Sequence, residues 1–283
     1  MGSLSAAESP APLDRPAGRG EFAAAIAAMR TRLGLVALLF GLAGLAWWGT
    51  ANQMAGMDAG PGTDLGTFGW FLGVWIVMMA AMMFPSVSPT VALYAQMTSQ
   101  HGLSRPLLFA NGYLLIWGAV GAVAYGLFEL GRSLFGVDLA WHAGGRWLVG
   151  GILALAAIYE LTPLKDVCLA KCRSPLGFLL GSWRDGPRGA LEMGARHAAW
   201  CVGCCWALMA ALFALGVMSV GWMAFVAALI AIEKLAPWKS AANRAIAVTL
   251  VVLGLAVVIV PEQVPGLTVP TSASDGMRMQ DGP

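Results

Sequence analysis

The sequence predicts an all-α protein, a polytopic bundle of about seven transmembrane helices with a cytoplasmic N-terminus. Three observations support this prediction. Of the 283 residues, 58% are hydrophobic and only 11% are charged, whereas soluble domains carry about 25% charged residues. The hydrophobic residues fall in runs of roughly membrane length. Twelve tryptophans suit the interfaces of a bilayer, so the lipid bilayer is an expected partner. The net charge of +2 is too small to indicate a nucleic-acid partner.

Seven apolar runs supply the predicted spans. They cover residues 33–48, 68–94, 106–130, 147–161, 197–217, 220–235 and 245–260. The first is somewhat short for a span. We expect three regions along the chain: 1–30, disordered with an amphipathic lead-in; 31–260, the transmembrane helical domain; and 261–283, a disordered tail.

The longest polar connection, 162–196, contains an apolar piece at 176–183 that is too short to cross a membrane. We expect this piece to be interfacial or re-entrant. The connection is also rich in Lys and Arg, as are the N-terminal segment and residues 234–244, whereas the first outer loop has neither residue. Because Lys and Arg are enriched in cytoplasmic loops, this bias predicts the orientation of the bundle.

The start of the fifth run concentrates side chains that bind metals. On an α-helix, at about 100° per residue, His197, Cys201, Cys204 and Cys205 share a face roughly 100° wide. Thiolate is a soft ligand that favours Cu(I), and imidazole also binds copper. Two other interpretations remain open, a redox-active thiol pair and simple packing of small buried thiols.

Two further cysteines, Cys168 and Cys172, precede this run at a spacing of i, i+4. They could complete a thiolate-rich site or form a separate capture point. Cytoplasmic thiols are normally reduced, so the sequence does not indicate a structural disulfide there.

The second run carries a methionine cluster. Met78, Met79, Met82 and Met83 form two pairs at i, i+4 and end just before Pro85. Thioethers are soft ligands, although methionine also fills irregular gaps in cores. The predicted orientation places this cluster and the cysteine face in the cytoplasmic half of the membrane, so one shared site is predicted.

The fourth and sixth runs end alike, because Glu160 and Glu233 are each followed by a proline, an apolar residue and a lysine. Glu160 is either an interfacial carboxylate paired with Lys165 or an intramembrane group at a metal or on an ion path. Glu233 is expected to pair with Lys234. No Gly-rich phosphate loop, Ser/His/Asp set or His-Glu-x-x-His pattern is present in the sequence, so binding is favoured over catalysis.

Four stretches resemble the bacterial family of predicted metal-binding integral membrane proteins, the domain of unknown function 2182: residues 75–86, 159–177, 194–206 and 233–237. This resemblance implies a multi-pass protein of the bacterial inner membrane that binds a metal, usually taken to be copper. It also implies a small soluble protein as one candidate partner.

The combined prediction is copper handling: transfer, storage or delivery to a membrane cuproenzyme. The cofactor would be copper as Cu(I), with zinc as second choice. The predicted metal site comprises Met78, Met79, Met82, Met83, Glu160, Cys168, Cys172, His197, Cys201, Cys204 and Cys205. The alternatives are a metal-dependent membrane oxidase or oxygenase, an accessory subunit of such an enzyme, and a membrane thiol oxidoreductase using Cys201 and Cys204.

Overall fold

A computed structural model describes residues 19–54, 65–135, 144–217, 219–236 and 238–264. In these residues the chain forms nine α-helices and no strand, so the all-α prediction is confirmed. The helices are α1 (Arg19–Met54), α2 (Phe68–Met97), α3 (Ser104–Phe135), α4 (Arg146–Glu160), α5 (Pro163–Cys172), α6 (Pro175–Gly181), α7 (Gly186–Gly216), α8 (Val220–Leu235) and α9 (Lys239–Ile259). Of the two segments predicted to be disordered, 1–30 and 261–283, residues 1–18 and 265–283 lie outside the described residues.

Several helices have the length and composition of membrane spans. Five qualify individually: Leu33–Gln53, Phe68–Met97, Ser104–Leu134, Gly186–Gly216 and Ser240–Ile259. A sixth is possible if α4 and α5, which meet at a bend of 71°, count as one broken span. At 16 residues α8 is shorter than the roughly 17 residues that a span needs. The chain is therefore a polytopic membrane protein, while the number of seven spans stays a prediction.

Helix α7 is central to the bundle, because it packs against α3, α4, α5 and α8. It begins at Gly186, not near His197 as the hydrophobic run predicted. Pro187 fits the first turn of a helix, where no backbone N–H is required. The added turns carry Arg188 and Arg196 at exposed positions. A hydropathy pattern therefore does not predict these turns as part of the helix. His197 consequently lies in the middle of α7 rather than in its first turn.

The methionine-bearing helix α2 continues through two prolines, Pro85 and Pro89, to Met97. A proline inside a helix leaves the carbonyl four residues earlier without its donor. For Pro89 that carbonyl belongs to Pro85, and the hydroxyl of Ser88 donates to it at 2.9 Å. The serine hydroxyl thus replaces a missing backbone hydrogen bond, which lets α2 run on where an apolar environment supplies no water.

The connection between α4 and α7 consists of two short helices. The side chain of Thr162 accepts from the backbone N–H of Lys165 at 3.4 Å and donates to the carbonyl of Tyr159 at 2.7 Å. Thr162 therefore caps both sides of the break between α4 and α5, and Pro163 starts α5. The predicted apolar piece at 176–183 is largely the seven-residue helix α6.

Helices α3 and α7 approach until their backbones touch. A Cβ added to Gly194 would collide with the carbonyl of Phe109, and one added to Gly112 would collide with the carbonyl of Leu191. Small residues of this kind let membrane helices pack closely. We expect Gly194→Ala to lower the stability of the protein by about 1–3 kcal/mol, because the helices must separate. Thermal unfolding of the purified protein in detergent measures this.

Gly126→Ala is the matched control for this prediction. Gly126 also lies in a membrane helix, α3, but a Cβ there meets no atom within 4 Å. Alanine stabilises a helix interior relative to glycine by about 1 kcal/mol, so the control should not unfold earlier. Equal midpoints for the unchanged and Gly194→Ala proteins would contradict close backbone packing.

Candidate metal centre

Three cysteine thiols from two helices converge inside the bundle. Cys201 and Cys204 come from α7, and Cys172 is the last residue of α5. Their sulfur atoms all lie within 4.8 Å of one another, and those of Cys172 and Cys204 are 3.7 Å apart. Cys201 and Cys204 are fully buried, whereas Cys172 is only partly buried. None of the five cysteines is in a disulfide. We call these three residues the thiol cluster.

The spacing of the thiol cluster suits a shared metal ion. A sulfur ligand lies about 2.3 Å from a metal such as zinc, so two sulfurs on one ion are at most about 4.6 Å apart. The distance of 3.7 Å between Cys172 and Cys204 satisfies this limit, and the others need at most a small side-chain adjustment. The three thiols therefore can hold one soft metal ion.

Two polar groups donate to the sulfur of Cys201. The hydroxyl of Tyr113, on α3, lies 3.1 Å away, and the ammonium of Lys234, on α8, lies 3.2 Å away. The same ammonium lies 3.0 Å from the hydroxyl of Ser86 on α2. Helices α3 and α8 thus contact this cysteine of α7, and α2 is connected to it through Lys234. The charge-assisted contact with Lys234 stabilises negative charge on the sulfur.

The other two cysteines lie beside the thiol cluster, not within it. Cys205 is buried, and its sulfur donates to the carbonyl of Cys201 at 2.9 Å. Cys168 is buried on α5 against Gly203, where an added Cβ would come within 2.8 Å of its sulfur. Neither sulfur belongs to the group within 4.8 Å, so their predicted roles as ligands remain predictions.

His197 occupies an aromatic environment. It is buried, and the rings of Phe109, Tyr113 and Phe178 surround it with centroids at 6.0, 6.1 and 4.7 Å. Its Nδ1 atom has no hydrogen-bond partner among the described residues. The structure does not bring His197 into the thiol cluster, although both face the interior from the same side of α7.

The methionine cluster is buried on a neighbouring helix. Met78, Met79, Met82 and Met83 are each at most 5% exposed. Ser86 follows one turn later on α2, and Lys234 links it to Cys201. The methionines are therefore buried on the helix that carries Ser86, and their role as copper ligands stays a prediction.

Glu160 belongs to a second buried group, a carboxylate–lysine triad of Glu160, Lys165 and Glu233. The ammonium of Lys165 forms ion pairs with both carboxylates, and all three side chains are at most 1% exposed. The prediction that Glu233 pairs with Lys234 was wrong, because Lys234 turns to Cys201 instead. Glu160 does pair with Lys165, but in the protein interior rather than at an exposed interface. Ion pairing compensates the loss of hydration that a buried carboxylate suffers.

No sequence pattern pointed to Tyr113 or Ser86, which are ordinary residues of apolar helices. Lys165 and Lys234 carried a signal, since both belong to the two similar helix ends noted above. That likeness did not reveal which lysine meets which carboxylate, because the pairing depends on how α4, α5 and α8 are arranged in space.

Comparison with known proteins agrees with the chemistry of the thiol cluster. None of the curated proteins and none of the solved structures matches the chain. A family model described as PpoB2, copper chaperone, matches residues 72–257, which include α3 to α8, most of α2 and α9, and all five cysteines. Because the match covers more than half of the chain, the protein belongs to the PpoB2 family of copper chaperones.

Proposed function

We propose that this protein binds copper as Cu(I) at the thiol cluster and passes it to a partner. The main observation in support of this proposal is the convergence of Cys172, Cys201 and Cys204 from α5 and α7. Family membership supports copper as the metal. The three sulfurs would be the ligands, and the surrounding helices would exclude water from the ion.

Several features favour Cu(I) over zinc. Thiolates are soft ligands that suit Cu(I). Structural zinc sites almost always hold four ligands in a tetrahedron, whereas three thiols converge here among the described residues. The buried methionines of α2 would add thioether ligands during transfer, and these also suit Cu(I).

Cys172 is the proposed point of exchange. It ends α5 and is partly exposed, while Cys201 and Cys204 are buried behind it. A partner could therefore reach the ion through Cys172 by replacing one thiolate at a time. The partner would be a small soluble protein or a membrane cuproenzyme. It would bind on the cytoplasmic side of the bacterial inner membrane, since Lys and Arg are concentrated in the connection 162–196, which contains Cys172.

Thiol alkylation tests this proposal. In the metal-free protein, purified in detergent, a maleimide should modify Cys172 fastest because it is the one residue of the thiol cluster that is not fully buried. One equivalent of Cu(I) should strongly slow this modification, and a Cu(I) chelator should restore it. The Cys172→Ser protein gives the background from the buried thiols. An equal rate with and without Cu(I) would contradict the proposed site.

A thiol oxidoreductase is the second candidate, favoured by the distance of 3.7 Å between the sulfurs of Cys172 and Cys204. In that case a quinone would oxidise the two thiols to a disulfide, and it would take up the two electrons and two protons that the thiols lose and leave as the quinol. Cys172 would then be protected without any metal, and dithiothreitol rather than a Cu(I) chelator would restore labelling. The same alkylation assay therefore separates the two functions.

A further inference from the structure

Lys234 places a positive charge directly beside the thiol cluster. Its ammonium lies 3.2 Å from the sulfur of Cys201 and 3.0 Å from the hydroxyl of Ser86. Glu233, its neighbour on α8, points instead to Lys165. Among the described residues, no carboxylate lies within ion-pair distance of Lys234. Its charge therefore faces the sulfurs without a carboxylate to neutralise it.

A fixed positive charge next to a ligand discriminates between metal ions by their charge. The repulsion between the ammonium and a bound ion is proportional to the charge of the ion, so a divalent ion suffers twice the repulsion of a monovalent one. Within the bundle the low effective dielectric makes this difference larger than it would be in water. Thiolates bind zinc as well as Cu(I), so three thiols alone select weakly between them.

We propose that Lys234 is a specificity residue of the thiol cluster, which disfavours divalent ions such as Zn(II) relative to Cu(I). The inference rests on the proposed function, because it assumes that the thiol cluster is the metal site. To the proposed function it adds a residue, Lys234, that weakens the binding of a competing ion. In this arrangement the ligands supply affinity for soft metals, and the lysine supplies discrimination by charge.

The ratio of two affinities isolates this effect. Replacing Lys234 also changes how readily the thiols ionise and how stable the fold is, but both changes act on Cu(I) and Zn(II) binding alike. They therefore largely cancel in the ratio of the two dissociation constants. A purely structural role for Lys234 would change both affinities together and leave their ratio unchanged.

The experiment measures Cu(I) and Zn(II) dissociation constants by competition with chromophoric chelators, using the full-length protein in detergent. In Lys234→Met the preference for Cu(I) over Zn(II) should fall by about tenfold or more. Lys234→Gln should behave in the same way, and its polar side chain can still contact Ser86, which protects the test against misfolding of the methionine variant. Lys234→Arg keeps the charge and should keep the preference.

Lys171→Met is the matched control. It removes the same charge next to Cys172 in the sequence, but from an exposed side chain that solvent screens, so the preference should stay unchanged. An unchanged preference in both neutral Lys234 variants would overturn the inference, and so would an equal fall in Lys171→Met. Failure of the proposed function is distinguishable, because it would appear as Cu(I) binding that survives the loss of the cluster thiols.

Discussion

The Cys172→Ser protein should bind Cu(I) at least about 10- to 100-fold more weakly than the unchanged protein, since losing a ligand costs at least as much as losing a residue that supports one. Cys172 is the only member of the thiol cluster that α5 contributes. Its removal leaves Cys201 and Cys204 on adjacent turns of one helix. Competition with a chromophoric Cu(I) chelator gives the affinity, and elemental analysis of the purified protein gives the retained copper.

Cys205→Ser is the control for this prediction, and it also separates two versions of the site. The sulfur of Cys205 donates to the carbonyl of Cys201, and a serine hydroxyl can make the same hydrogen bond. The variant should therefore retain copper, although the sequence analysis predicts Cys205 as a ligand. Loss of copper from Cys205→Ser but not from Cys172→Ser would show that the metal is bound at Cys205 rather than at Cys172.

Lys165→Met should be the most destabilising change at the carboxylate–lysine triad. The substitution leaves Glu160 and Glu233 facing each other in the interior without a cation, since all three side chains are buried. Removing one partner of a buried ion pair costs about 3–5 kcal/mol. We expect a large fall in the yield of folded protein and in its unfolding temperature in detergent.

A triple variant tests whether unpaired charge is the cause of the lost stability in Lys165→Met. Adding Glu160→Gln and Glu233→Gln to Lys165→Met removes all three charges with little change of shape, so much of the lost stability should return. Lys171→Met, an exposed lysine on the same helix, should unfold like the unchanged protein. If Lys165→Met were as stable as this control, the triad would contribute nothing to the fold.

The helices could largely be predicted from the sequence, because each buried or lipid-facing helix leaves a long apolar run. The prediction failed where a helix continues beyond such a run. The first turns of α7 carry exposed arginines at Arg188 and Arg196. Exposed charged side chains interrupt an apolar run without interrupting the helix, so hydrophobic periodicity does not report this continuation.

The site could be predicted in part. Helical spacing shows which residues share a face of one helix, so the cluster on α7 was recognisable from Cys201 and Cys204. Spacing cannot show which other helix lies opposite that face. For this reason the sequence predicts Cys172 and Cys205 equally as ligands, and it cannot distinguish Cys172, which joins Cys201 and Cys204, from Cys205, which lies beside them. Nor does it indicate that Lys234 and Tyr113 contact Cys201.

The attachment of α5 also has a consequence for how the protein is made. Lys165 near the start of α5 pairs with Glu233, 68 residues later, and the guanidinium of Arg173 just after α5 donates to the carbonyl of Ala236. During synthesis α5 therefore meets these partners only after the ribosome has passed α8. Cys201 and Cys204 are already in the chain by then, and α5 can already pack against α7. The attachment of α5 to the end of α8, and the ammonium of Lys234 beside Cys201, are added only when the polypeptide is nearly finished.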